Sequence, residues 1–140
     1  MPLSKFAGHH DQLIELADAI LTLAADGSAE ALTLLQTQRI ALSKSVSEHC
    51  AAEIAHLPAQ AREPQADPHK AMLLREYHSG LLAWRGALME CNANWPSRRI
   101  AAEPGGFIRV FEKLATSLRD RVRWEEQEFY PAIFGANAVR

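Results

Sequence analysis

Four long segments of the chain carry apolar residues at the three- and four-residue spacing of an amphipathic helix, and none alternates like a half-buried strand. This pattern predicts an all-α protein folded as an antiparallel, up-down four-helix bundle. The 140 residues are expected to form one domain, residues 1–140, with a core that needs no disulfide. The predicted helices cover residues 8–25, 29–57, 69–94 and 107–134.

The breaks between these segments have the composition of turns and linkers. Asp26, Gly27 and Ser28 form a turn signal after the first segment. Pro58 is expected to end the second helix, because proline cannot continue a helix interior. Residues 58–68 contain three prolines and are expected to cross between helices without regular structure.

Charge and hydropathy exclude several classes of partner. The chain has 15 basic and 17 acidic residues, without a basic block that would follow a phosphate backbone, so no nucleic-acid partner is expected. No apolar run approaches the about 20 residues of a membrane span, and the first residues lack the apolar centre of a secretory signal. We therefore expect a cytoplasmic protein in which Cys50 and Cys91 are buried thiols.

Two of the apolar stripes contain charged residues. At about 100° per residue, Arg121 and Glu125 fall in the same narrow sector of the fourth helix as their apolar neighbours. Glu53 lies on the inward line of the second helix. Because burying an unpaired charge costs several kcal/mol, two inward carboxylates require a cation. That cation is either a metal ion or Arg121.

The histidines supply the other candidate ligands. His49 precedes Glu53 by four residues, so both side chains leave one helix face and can converge on one ion. An inward histidine that is simply hydrogen-bonded within the core remains the alternative interpretation. His9 and His10 lie on opposite flanks of the first apolar face, and periodicity does not choose between them, while His78 flanks the third. The histidines expected to be solvated are His56 and His69.

Short motifs follow one another in a distinctive order. They are His9-His10-Asp-Gln-Leu13-Ile14 in the first helix, His49-x-x-x-Glu53 in the second, Glu76-Tyr-His78-Ser-Gly-Leu81-Leu82 in the third, and Glu125-Glu126-x-x-Phe-Tyr-Pro131 in the fourth. In this order, over nearly the whole chain, they resemble the hemerythrin-like family of four-helix bundles, also called the HHE cation-binding family.

The resemblance implies a non-haem di-iron centre held by histidines from all four helices and bridged by two carboxylates. Members of that family bind oxygen, sense oxygen or redox state, or handle iron. By position, the resemblance prefers His10 to His9, because Leu13 and Ile14 follow it at the family's usual offsets. It makes His49 and His78 further ligands, and Glu53 and Glu126 bridges. Together with Glu125 from the apolar stripe, the candidate metal ligands are His10, His49, Glu53, His78, Glu125 and Glu126.

The chain departs from the family pattern at two positions. Arg121 stands where the family has a histidine before the Glu-Glu pair, and a guanidinium, which stays protonated, cannot coordinate iron. The third helix offers His78 but has Leu74 and Leu82 where a second histidine often lies. We therefore expect an incomplete di-iron site that holds one iron ion, two or none.

Arg121 also suggests a way to dispense with the metal. Its guanidinium could form charge-assisted hydrogen bonds with Glu53 and a carboxylate of the fourth helix, and so replace the missing cation. In the alternative arrangement, Arg121 extends to the rim of the bundle and pairs with Glu125 at the surface.

Two classes of function follow from these residues. One is a metal-binding sensor that takes O₂ or another small diatomic molecule, and the other is a metal-free regulatory or interaction module. A second apolar face on the third helix, formed by Leu74, Leu82 and Met89, favours a homodimer under either class. The alternative is that the loop around Trp95 covers this face. The sequence offers no evident nucleophile, phosphate loop or substrate pocket, so we expect no enzymatic activity.

Overall fold

The structure is a computed structural model that describes residues 2–57 and 67–135. Within these ranges the long elements are helices and no strand occurs, which confirms the all-α class. None of the described helices combines the length and the apolar character needed to cross a membrane. In chain order the elements are α1 (Pro2–Asp26), α2 (Ala29–Ala55), α3 (Pro68–Asn94), α4 (Ser97–Ala102), α5 (Pro104–Trp124), a π-helical turn (Glu125–Phe129) and α6 (Tyr130–Phe134).

The observed helix ends differ from the predicted ones mainly around prolines. α1 already begins at Pro2, and α2 ends at Ala55, while residues 58–66 of the predicted linker lie outside the described residues. The short helix α4, which follows Pro96, was not predicted, and α5 begins at Pro104, three residues earlier than expected. Proline suits the first turn of a helix because its missing N–H would have no partner there in any case.

Side chains cap the first turns of α2 and α3. Gly27 adopts a positive φ of 69° in the predicted turn, and the Ser28 hydroxyl accepts a hydrogen bond from the Ala31 N–H at 3.1 Å. Asp67 caps α3 in the same way by accepting from backbone N–H groups of its first turn.

Hydrogen bonds between neighbouring helices show their relative directions. They join Arg39 to Asn92, Tyr77 to Glu53, Trp84 to Leu114, Arg121 to Tyr77, Asp18 to Arg119 and His10 to Glu125. In each neighbouring pair, residue numbers rise along one helix as they fall along the other. The neighbouring long helices joined by these bonds therefore run antiparallel, which is consistent with the up-down prediction.

The apolar core ends differently at the two ends of the bundle. At one end, which we call the closed end, Ile100 of α4 is buried together with Trp95 and Phe107. The Arg39 guanidinium lies over the Phe107 ring at this end. The opposite end, which we call the site end, contains the first residues of α1, the last residues of α2 and the π-helical turn. Here the core also contains buried polar and charged side chains, namely His10, His49, Glu53 and Glu125.

The apolar face predicted on the third helix is narrower than expected. Leu74 is buried, because it packs into the core of the bundle, so its assignment to an exposed face was wrong. Leu82 and Met89 are each 70 % exposed. A homodimer through α3 stays a prediction.

Candidate metal centre

Four candidate ligands meet at the site end. His10 comes from α1, His49 and Glu53 come from α2, and Glu125 opens the π-helical turn. Each offers one ligand atom, and these atoms all lie within 4.8 Å of one another. All four side chains are buried, with relative exposures of 1–5 %. The sequence predicted these four residues, but it did not predict how they are held.

The π-helical turn determines which side chains of the last segment point inward. In an α-helix, residues 125 and 130 would lie about 140° apart around the axis. Here the Tyr130 N–H bonds the Glu125 carbonyl, a five-residue spacing that stacks the two residues on one face. Pro131 gives the physical reason, because it has no N–H for Gln127 and its ring crowds that carbonyl. Sequence reasoning that assumed an uninterrupted α-helix missed this turn.

Tyr130 is the residue that sequence reasoning missed, although it lies at the centre of the cluster. Its hydroxyl donates to Glu53 Oε2 and lies 3.0 Å from Glu125 Oε1 and 3.2 Å from His10 Nε2. The side chain is 1 % exposed. One phenol on α6 therefore contacts ligands from α1, α2 and the π-helical turn. The aromatic-proline end of the last motif was the available signal.

A second phenol, that of Tyr77 on the neighbouring helix α3, also contacts Glu53. The Tyr77 hydroxyl donates to Glu53 Oε1 at 3.0 Å, and its ring stacks on Phe129 with a centroid separation of 4.5 Å. Together with His49 Nε2 at 3.3 Å, these contacts surround the Glu53 carboxylate with polar groups. They explain how a carboxylate can be 2 % exposed in this fold.

Arg121 joins the site through Glu125. Its Nε lies 2.9 Å from Glu125 Oε2, and its Nη2 donates to the Tyr77 carbonyl at 3.1 Å. The structure records no ion pair between Arg121 and Glu53 among the described residues, so that part of the prediction was wrong. Since the Arg121 side chain is only 13 % exposed, the pair with Glu125 is not a surface pair either.

Gly80 makes room for this arginine. A Cβ atom at position 80 would lie 2.9 Å from Arg121 Nη1, closer than side-chain atoms normally approach. A side chain at this point of α3 would therefore displace the guanidinium. Glycine at this position of α3 therefore leaves the space that the Arg121 side chain of α5 occupies.

The two remaining candidates lie outside the cluster. His78 is exposed on α3, since Tyr77, not His78, faces the bundle interior. This position corrects the expectation that His78 is a ligand. Glu126 lies at the edge, 30 % exposed, with its Oε2 3.7 Å from His10 Nδ1. Between the first two histidines, it is His10 that enters the cluster, whereas His9 contacts His49 from outside, with 3.1 Å between their Nδ1 atoms.

The pKa values of the two buried carboxylates are shifted in opposite directions. Burial would raise the pKa of Glu53, but contacts with His49, Glu125 and Tyr130 outweigh it and lower that pKa to about 2. Burial dominates at Glu125 and raises its pKa. Burial would lower the pKa of His10, but the hydrogen bond to Glu125 and the nearby carboxylates raise it. Without a metal, Arg121 is the fixed cation beside Glu125, and the raised pKa of His10 favours a second positive charge near the two carboxylates.

The donor set suits a transition-metal cation. Within the described part of the chain, the buried nitrogens His10 Nδ1 and His49 Nε2 make no hydrogen bond of good geometry. The nearest carboxylate oxygens are Glu126 Oε2, 3.7 Å from His10 Nδ1, and Glu53 Oε1, 3.3 Å from His49 Nε2. Buried imidazole nitrogens without partners are rare unless a ligand or ion completes them. Two imidazoles and two carboxylates are ligands that zinc, iron and manganese accept. The cluster could hold one such ion.

A small apolar cavity of about 20 Å³ adjoins the four ligands. This volume is room for about one water-sized molecule. The thiol of Cys50, whose pKa burial and Glu53 raise to about 11, also lines the cavity. The apolar lining residues are Leu13, Val46, Leu81, Trp84, Leu118 and Val122.

Fold and site together define a cation-binding helical bundle. A family model described as the hemerythrin HHE cation binding domain matches residues 1–133, so the chain belongs to the hemerythrin HHE cation-binding family. The resemblance inferred from the sequence motifs is therefore confirmed. No curated protein and no solved structure shows significant similarity to the chain.

Proposed function

We propose that this chain binds a single iron ion through His10, His49, Glu53 and Glu125 and responds to oxygen or redox state. The observation that carries the proposal is the convergence of four buried ligand atoms within 4.8 Å. Two buried imidazole nitrogens that make no hydrogen bond to any described residue support it. Family membership supports a cation in general terms.

Charge balance favours one divalent ion. Glu53 and Glu125 contribute two negative charges when ionised, and Arg121 already offsets about one of them through its pair with Glu125. The raised pKa of His10 lets a proton offset the other. A cation that binds here displaces that proton, because a ligating imidazole must be neutral. A second divalent ion would meet the fixed positive charge of Arg121.

The chemistry of the ligands points to iron. Two imidazoles and a carboxylate that leave coordination positions open are typical of non-haem iron sites. Iron held there would supply reversible one-electron chemistry and an open position for a small ligand. Among the chain's own residues, Tyr77 and Tyr130 orient Glu53. Arg121 pairs with Glu125 and limits the negative charge that this carboxylate offers to an ion.

The neighbouring cavity favours a diatomic ligand. Its volume of about 20 Å³ and its apolar lining admit O₂ or nitric oxide in preference to a larger or charged molecule. For the same reason we propose sensing, and not turnover of an organic substrate. No step in this proposal requires a nucleophile from the chain.

Tyr130 connects the site to the last helix, α6. It donates to Glu53 on α2, and it belongs to α6, which follows directly on the π-helical turn. When Glu53 turns to a cation, the Tyr130 hydroxyl loses an acceptor, so the docking of α6 depends on the state of the site. We propose this change as the signal that a partner would read.

A metal-free module is the second candidate, and one observation favours it. The contact of 2.9 Å between Arg121 Nε and Glu125 Oε2 already neutralises one ligand. In this case the polar network would hold the helix ends together by itself, with His10 protonated. Both candidates share the same fold, so metal binding distinguishes them.

The test is an anaerobic titration of the metal-free protein with Fe²⁺, followed by calorimetry and elemental analysis. We expect one ion per chain. His49→Ala should weaken binding by at least about 100-fold, because it removes a direct ligand. His78→Ala, which removes an exposed histidine from α3, is the matched control and should bind iron like the wild type.

Two results would contradict the proposal. Absence of iron from a fully folded wild-type protein would favour the metal-free module. Two ions per chain, with binding weakened by His78→Ala, would restore the di-iron interpretation and exclude the single site.

A further inference from the structure

The His49 ring faces two different environments. Its Nε2 lies 3.3 Å from Glu53 Oε1 inside the cluster. Its Nδ1 lies 3.1 Å from His9 Nδ1 on the outer side. His49 is 5 % exposed, whereas His9 is only partly buried. One imidazole therefore separates the buried ligands from a histidine that solvent reaches.

A surface cavity leads to this pair of histidines. It has a volume of about 220 Å³ and lies between α1 and α2. Glu48 contributes a carboxylate that is 67 % exposed, and Lys5 contributes an opposing positive charge. The residues that line the cavity are Lys5, His9, Gln12, Ser45, Glu48, His49 and Ala52.

The other sides of the cluster suit a cation less well. Toward α3 and α5, Arg121 presents a permanent positive charge, with a side chain that is 13 % exposed. Phe6, which is completely buried, packs edge-on against His49 from α1. Toward α5, the partly exposed Glu126 lies 3.7 Å from His10 Nδ1 and is the competing approach.

The two Nδ1 atoms have the spacing of a chelating pair. Two nitrogens that each lie about 2.0–2.1 Å from a tetrahedral metal ion are about 3.3 Å apart. The observed 3.1 Å is close to that value, and it also allows a direct hydrogen bond when no ion is present.

We propose that His9 and the Nδ1 edge of His49 form an outer site, where a divalent transition-metal ion is held on its way to the buried cluster. This inference rests on the proposed metal-binding function. An ion at the outer site is separated from Glu53 by the His49 ring. The ion then moves inward past the edge of the His49 ring, exchanging its bonds to His9 Nδ1 and His49 Nδ1 for bonds to His49 Nε2 and Glu53. No covalent bond of the protein changes.

An outer site affects rates and not the final equilibrium. A residue on the route accelerates loading and release equally, so its loss lowers both rate constants and leaves Kd almost unchanged. A residue that only orients His49 acts differently, because losing such a partner typically weakens metal affinity by about 10- to 100-fold. The two roles of His9 are therefore separable by kinetics.

The test measures Co²⁺ loading by stopped-flow absorbance and Co²⁺ release into excess chelator. His9→Asn is the informative variant, because the amide oxygen takes the place of Nδ1 and keeps a hydrogen bond to His49 while removing the imidazole ligand. We expect loading and release both to slow by about tenfold, a barrier increase of about 1.4 kcal/mol. His56→Gln, which changes an exposed histidine one turn beyond the cavity, should leave both rates unchanged.

Several outcomes would overturn the outer site. Unchanged rates in His9→Asn would exclude it, as would a weaker Kd that arises from faster release alone. Slow loading in Glu126→Gln together with normal loading in His9→Asn would assign the route to the α5 side. Failure of the wild type to bind Co²⁺ at all would contradict the proposed function as well, so the two failures are distinguishable.

Discussion

Each end of the bundle holds an arginine that is largely shielded from solvent, and the two arginines have different partners. At the closed end, Arg39 is 8 % exposed and bonds neutral acceptors only among the described residues. Its Nη1 donates to the Trp95 carbonyl at 2.9 Å, and its Nε and Nη2 donate to Asn92. At the site end, Arg121 pairs with the carboxylate of Glu125.

This difference in partners indicates different roles for the two arginines. Arg39 ties α2 to the end of α3, and its neutral partners give a diffusing cation nothing to replace. Arg121 neutralises a carboxylate that is also a candidate metal ligand, so its charge competes with any ion that binds there. One arginine therefore contributes to stability, and the other sets the affinity of a site.

The largest expected effect is on the stability of the closed end. Arg39→Met should lower the free energy of unfolding by about 2–4 kcal/mol, because the Trp95 carbonyl and Asn92 lose their donors in a buried setting. Urea unfolding of the metal-free protein measures this loss. Metal affinity should stay within about twofold of the wild type, since additivity holds for distant sites. A parallel loss of affinity would show that the two ends are coupled.

Arg121→Met should have a smaller effect on stability and a distinctive effect on binding. The metal-free protein should lose about 2–3 kcal/mol, at the low end for a broken buried ion pair, because His10 and Tyr130 still contact Glu125. Fe²⁺ affinity should rise by about tenfold, since Glu125 is then free to offer its full charge, an effect of about 1.4 kcal/mol. Calorimetric titration measures it. A fall in affinity would refute the competition between Arg121 and the ion.

At the site end, Tyr130 makes more polar contacts than Tyr77 and should therefore contribute more to the stability of the metal-free protein. Tyr130→Phe should lower the stability of the metal-free protein by about 1.5–3 kcal/mol, because Glu53 loses a charge-assisted bond and Glu125 loses a polar contact. Tyr77→Phe removes one bond to Glu53 and should cost about half as much. Thermal unfolding followed by circular dichroism compares the two variants. Equal losses would mean that Tyr130 is not the centre of the network.

Two glycines of α3 allow the smallest effect to be measured against an internal control. Gly86→Ala should stabilise the protein by about 0.5–1 kcal/mol, because nothing lies within 4 Å of a Cβ at that position. Gly80→Ala brings the same gain in helix propensity but displaces Arg121 Nη1. It should therefore stabilise less than Gly86→Ala and raise Fe²⁺ affinity slightly, as Arg121→Met does. Identical behaviour of the two variants would show that Arg121 moves aside freely.

The regular helices could be predicted from the sequence, together with the residues that depend on their regularity. His49 and Glu53 are one turn apart on an uninterrupted helix, so their convergence follows from spacing. Glu125 was also predicted, because the helical stripe of α5 is regular up to that residue. Tyr130 lies beyond the π-helical turn, where the stripe shifts by one residue, and a uniform 100° rotation therefore misplaces it.

The remaining differences between the predicted and the observed site depend on tertiary contacts, which residue spacing along the chain does not reveal. The sequence placed Arg121 inside but could not choose Glu125 over Glu53, because the choice depends on Gly80 of a different helix. His78 flanks the inward line of α3 by one position, and the Tyr77 ring takes the inward place. The short helix α4 follows from two prolines whose effect on neighbouring turns is local but not periodic.

The most direct test of the central claim is the anomalous X-ray signal of iron in crystals of the anaerobically loaded protein. We expect one peak within ligand distance of His10, His49, Glu53 and Glu125, with Arg121 still beside the site. A peak at His78, two peaks bridged by Glu126, or loaded protein without a peak at this cluster would contradict it.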